Sequence, residues 1–126
     1  ALVEQARSTY PGIDVLHSDV LGLDDALLGE RPAEFDLVVV VGNVMVFLAE
    51  GTERRVLSLL RSRLAPGGRV LLGFHLVGAP AHARTYPAEE FAADVEACGL
   101  RVDARFGSYE LHPANEEYAV WVLSRA

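Results

Sequence analysis

Residues 35–41, FDLVVVV, leave a chain of this length few choices of fold. Six of the seven are apolar and four are β-branched, with no polar alternation that would give one wet face. Such a run predicts a strand buried on both faces, the condition of an interior strand in a parallel sheet. Gly42-Asn43 ends it. A second buried strand, RVLLGF at 69–74, follows a stretch of helical period from residue 52 to residue 64. There Val56, Leu57, Leu60 and Leu64 form one stripe, and Arg54, Arg55, Arg61 and Arg63 fall mostly on polar faces. Thr52 is placed to cap the helix and Pro66-Gly67-Gly68 to stop it. Two buried strands with a helix between them predict a parallel crossover unit.

The rest of the chain extends this alternation and then changes it. Residues 1–8 predict a helix, Tyr10-Pro11-Gly12 a turn, and residues 13–17 a short strand. Residues 21–28 fit either a weak helix or an extended loop. A long loop is expected at 75–86, and Pro87 opens a further helix with Glu89 and Glu90 near its positive end. Phe91, Val95 and Cys98 recur at helical spacing, so Cys98 is expected in the core, and Gly99 closes the helix. Residues 100–106 and 118–123 predict two strands, joined by about ten residues containing His112-Pro113, long enough to wall a pocket. The whole predicts one α/β domain over residues 1–126, without repeats or linkers. The chain has no initiator Met, and Ala1 falls inside the first helix; the expectation is a fragment.

Composition removes several function classes. A formal charge of -7, from 18 acidic and 11 basic side chains, disfavours a phosphate backbone, so no nucleic-acid partner is expected. The longest uninterrupted run of aliphatic residues, 37–41, is too short to span a bilayer, and no membrane partner is expected. A single cysteine fits a reducing cytoplasm. The four histidines and Cys98 show no metal-ligand spacing, so no metal is predicted.

HSDVLGLD at 17–24, FDLVVVVGNVMVFL at 35–48 and LAPGGRVLLGF at 64–74, in this order and followed by a helix and two strands, resemble the class I methyltransferases that use S-adenosylmethionine. The resemblance implies a Rossmann-like α/β sheet, mostly parallel, whose last strand inserts antiparallel. It also implies that the chain supplies the third through seventh strands. The first two, which carry a glycine-rich turn and a ribose-binding carboxylate, would be absent, and no GxGxG occurs in the chain. In the family those two strands lie between the third and fourth. Residues 13–17 and 35–41 are therefore expected to present unpaired edges, satisfied by missing chain, by a second copy in a homodimer, or by re-pairing.

On this resemblance the cofactor is S-adenosylmethionine and its ligands are Asp19, Val20, Gly42, Asn43 and Val44. A carboxylate at Asp19 only accepts hydrogen bonds, which suits an adenine amine; the alternative is an Asp that caps a turn. The Val20 backbone would meet the adenine ring. Gly42, Asn43 and Val44 follow a buried strand at its carboxyl end, where open α/β sheets bind ligands. Phe47, His75 and Tyr86 are expected to bind a small-molecule acceptor, with His82, Tyr109, His112 and Met45 as weaker wall candidates. His75 is read as wall more readily than as base, because a sulfonium donor asks chiefly for alignment; no catalytic residue is assigned. The rival functions are a nicotinamide-dependent oxidoreductase and a non-catalytic Rossmann-like binding or dimerisation module.

Overall fold

A computed structural model describes residues 2–78 and 80–126. Ala1, expected in the first helix, lies outside the described residues. The chain forms two compact units, Ala1–Arg31 and Pro32–Ala126.

In the first unit, helix α1 spans Leu2–Thr9, as the apolar spacing predicts. Its Arg7 guanidinium donates to the Val15 carbonyl at 2.9 Å, which holds the segment after the Tyr10-Pro11-Gly12 turn. A single 3-10 turn covers Val20–Gly22, and helix α2 covers Asp25–Leu28. Asp24 caps α2 by accepting from the Leu27 amide at 2.8 Å. Arg31 closes the unit with an ion pair to Asp14. The strand expected at 13–17 is not formed: these residues join no ladder and the sheet has four strands, all from the second unit. A strand exists only through its partners, and a short apolar run without them keeps an irregular backbone.

The second unit is a four-stranded sheet in the order β1-β2-β4-β3. Strand β1 is Phe35–Val40, helix α3 Glu53–Ser62, β2 Leu64–His75, helix α4 Ala88–Ala97, β3 Leu100–Phe106 and β4 Tyr118–Arg125. β1 and β2 pair in parallel, and β4 pairs antiparallel with both β2 and β3. Three strands therefore run one way, with the last inserted against them, as the sequence resemblance implies. Pro66-Gly67-Gly68 lies inside β2 and is not what ends the helix, and Leu64, expected in the helical stripe, is the first residue of that strand. The helix ends at Ser62, and β2 begins at Leu64, with an irregular register before Leu37↔Arg69.

One face of the sheet carries the core. Val70, Leu72 and Phe74 of β2, with Trp121 and Leu123 of β4, are buried together with Val56, Leu57 and Leu60 of α3 and Phe91 and Val95 of α4. Phe74 packs edge-on against Phe91 with centroids 5.1 Å apart, and Phe91 lies 4.7 Å from Trp121. Aromatic pairs of this kind add about 0.5–1.5 kcal/mol each beyond their buried area. The opposite face differs from expectation. Leu37, Val39 and Val41 are 56%, 50% and 47% exposed and Phe35, Val38 and Val40 are half-buried, so the run predicted as buried on both faces is open on one and half-covered on the other. Cys98 is also half-buried rather than core, its thiol donating to the Arg54 carbonyl at 3.3 Å. Among the described residues no helix is long and apolar enough to cross a membrane.

Candidate functional site at the carboxyl ends of the parallel strands

The turn after β1 is built from two consecutive residues of positive φ, Gly42 at 80° and Asn43 at 64°. Glycine and asparagine are the residue types that adopt this conformation at least cost, so GN at this point is a backbone requirement. The chain then makes a 3-10 turn over Val44–Val46. Met45 and Val46 are buried by it, which makes Met45 core, while Phe47 is 50% exposed.

That turn delivers the Asn43 side chain to the end of the neighbouring strand. Asn43 Oδ1 accepts from the His75 backbone N–H at 2.9 Å and lies 3.0 Å from His75 Nδ1. His75 is the last residue of β2 and pairs in register with Tyr118 of β4. The two rings meet edge-on with centroids 4.8 Å apart. Tyr118 donates its phenolic hydrogen to the Tyr109 oxygen at 3.4 Å. Tyr109 comes from the β3–β4 connection, which folds back so that its hydroxyl occupies the space a Cβ at Gly73 would need. A side chain at position 73, two residues before His75 on the same face, would displace that connection. Asn43, His75, Tyr109 and Tyr118 thus come together from four segments: the turn after β1, the end of β2, the β3–β4 connection and the start of β4. The last connection places Tyr109 at this end of the sheet. His112 is held within the connection, its Nδ1 2.8 Å from Ser108 Oγ.

Tyr86 requires correction. It was expected on an acceptor wall, but it is fully buried, with its ring stacked 5.4 Å from Phe74. Its phenol donates to Asp94, whose other oxygen receives Arg54 Nε at 2.7 Å. Burial first, and the Asp94 carboxylate second, push the Tyr86 phenol far above its ordinary range. Beside it runs a cleft of about 790 Å³ whose lining includes Val46, Glu53, Arg54, His82, Arg84 and Asp94. Arg84 bridges Glu53 at 2.5 Å and Glu90 at 2.6 Å, and its backbone N–H donates to the Val46 carbonyl. Burial works against the Arg84 charge, but these carboxylates hold its pKa above the ordinary value. Sequence spacing gave no sign of this network, since its members lie 6 to 40 residues apart. His82, with φ of 68°, is exposed on the rim. The charged groups of the cleft are largely spent on one another, so the Asn43–His75 corner is the stronger candidate site.

Asp19 and Val20 belong to the first unit. Asp19 precedes the 3-10 turn but makes no side-chain cap bond, so the turn-capping alternative is not what the structure shows. Its backbone carbonyl accepts from Ser18 Oγ at 2.8 Å. The exposed carboxylate is an acceptor with no donor among the described residues, which fits an amine-bearing ligand.

No model of a known protein family matches the chain, and no curated protein matches it in sequence. Solved structures do. A TehB-like S-adenosylmethionine-dependent methyltransferase from Corynebacterium glutamicum is 27% identical, with a TM-score of 0.81 over 99% of this chain and 63% of its own. The CcbJ methyltransferase from Streptomyces caelestis is 14% identical, with a TM-score of 0.81 over 99% of this chain and 71% of its own. A methyltransferase from Clostridium acetobutylicum is 10% identical, with a TM-score of 0.77, and the match covers 98% of this chain and 69% of that one. The chain therefore spans about two thirds of the length of these structures.

Proposed function

We propose that this chain, which carries the class I methyltransferase-like fold along its length, supplies the acceptor side of a site for methyl transfer from S-adenosylmethionine to a small or medium-sized molecule. The observation that carries the proposal is the sheet. Its three co-directional strands take β4 antiparallel between β2 and β3, and the turn after β1 meets the end of β2 through Asn43 and His75. The solved structures that share this fold are S-adenosylmethionine-dependent methyltransferases by name.

S-adenosylmethionine, when bound, supplies an electrophilic methyl group on a sulfonium. The residues present suit it. Within the first unit Asp19 presents an exposed carboxylate, the chemistry an adenine amine takes, with the Val20 backbone beside it. Within the second, Gly42, Asn43 and Val44 form the turn at the carboxyl end of β1, where open α/β sheets bind ligands. Phe47 and His75 would hold the acceptor, Phe47 by its exposed ring and His75 by hydrogen bonding. Tyr86, being core, has no part in this. The chain's contribution to rate is then alignment of the acceptor atom, the term that matters most for an already reactive donor.

The test is a titration of the ¹⁵N-labelled chain with S-adenosylmethionine and, separately, with a nicotinamide dinucleotide. The expected result is weak binding of the first alone, with amide shifts concentrated at residues 19–20 and 42–44. In Asp19→Ala the shifts at residues 19–20 should be lost at the same S-adenosylmethionine concentration, since the adenine amine then has no acceptor there. Shifts scattered elsewhere, or an equal response to the dinucleotide, would sink the proposal in favour of the oxidoreductase.

A further inference from the structure

Asn43 Oδ1 faces two nitrogens of the same residue, and one of them settles the chemistry of the other. The His75 backbone N–H, 2.9 Å away, can only donate, so the amide atom it meets must be the oxygen. An amide oxygen only accepts. His75 Nδ1, 3.0 Å from that same oxygen, must therefore carry a proton. In the neutral ring Nε2 is then the unprotonated nitrogen, and among the described residues it makes no hydrogen bond. The ring is fixed on its other side by the edge-on contact with Tyr118, and its backbone by β2.

We infer that Asn43 is a positioning residue that locks His75 in the Nδ1–H tautomer, so that Nε2 is a preset hydrogen-bond acceptor and the group it takes is a donor, an O–H or an N–H. Resting on the methyl-transfer proposal, this narrows the acceptor to hydroxyl or amine compounds. Thioethers and aromatic carbons have nothing to give Nε2. The left-handed backbone of Asn43 belongs to the device, because it turns the amide back toward β2 instead of out to solvent.

The tautomer is directly measurable, without cofactor or turnover, from long-range ¹H–¹⁵N correlations of the ¹⁵N-histidine-labelled chain at alkaline pH, where imidazole is neutral. His75 is assigned by its loss in His75→Gln. A single Nδ1–H tautomer is expected. It should be lost in Asn43→Gly, which keeps the positive-φ backbone, and kept in Tyr118→Leu, which removes the ring contact but not the amide. An Nε2–H tautomer in the unaltered chain overturns the inference whatever the variants do, and so does an unchanged tautomer in folded Asn43→Gly. Titration with phenol and with anisole then tests the donor class. Phenol alone should move the Nε2 resonance, and an equal response to both, or none to phenol, removes the hydroxyl and amine restriction. None of these results depends on methyl transfer, so failure here leaves that proposal standing, and the reverse.

Discussion

Asp94 takes the Tyr86 phenol on one oxygen and Arg54 on the other, and is buried while doing so. Replacing Tyr86 by Phe keeps the ring against Phe74 but removes the only hydrogen the phenol gives, which should cost about 1–3 kcal/mol in urea unfolding. The pH dependence has a definite sign. Burial and Asp94 raise the folded phenol above the ordinary 10.0, so the unfolded chain ionises first as pH rises. Stability from this group is complete below that value and is lost above it. Tyr86→Phe should therefore flatten the alkaline decline, and a variant that falls as steeply as the unaltered chain above pH 10 would contradict the assignment. None of this was visible in the sequence. Tyr86 stands in a long loop, and the helix-borne carboxylate that claims it lies eight residues on. By contrast Asn43 was legible as a candidate from the resemblance and from its place just after a buried strand, at the carboxyl end where open α/β sheets bind ligands.

The two edge strands show how an element can carry information beyond its own fold. β3, with Arg101, Asp103 and Arg105, has the alternating charges that keep an open edge from pairing with another chain. β1 is an edge by position, yet apart from Asp36 it has an interior strand's composition, with Leu37 and Val39 exposed. It should pair with something. In sedimentation experiments the chain is expected to self-associate with rising concentration. Val39→Lys should weaken that association while changing unfolding stability by no more than about 0.5 kcal/mol, as befits an exposed site. A chain that stays monomeric at every concentration would contradict the prediction. This contrast explains what was readable. Residues 100–106 and the start of β4 at Tyr118 could be placed because each is locally patterned. The expected strand at 13–17 could not hold, since it had pattern without partners.

At the scale of the whole chain, fold and site separate. The sheet order, the inserted antiparallel strand and the match to solved methyltransferases with TM-scores up to 0.81 all describe one architecture. The glycine-rich turn that would let backbone approach the cofactor's methionine and ribose is in none of the 126 residues. The chain was recognisable because buried strands with a helix between them leave a pattern in hydrophobicity, while the antiparallel insertion came only from the resemblance that HSDVLGLD, FDLVVVVGNVMVFL and LAPGGRVLLGF carry. The acceptor was not, because it is chosen by side chains that converge from separate loops. The central claim is that these residues hold the acceptor side and only part of the cofactor's contacts. Calorimetric titration of S-adenosylmethionine into the isolated chain tests it most directly. The account predicts no saturable binding tighter than a dissociation constant of about 1 mM, near -4 kcal/mol. Stoichiometric binding at micromolar concentration would contradict it, since the contacts taken to be lacking would then have to come from the residues already present.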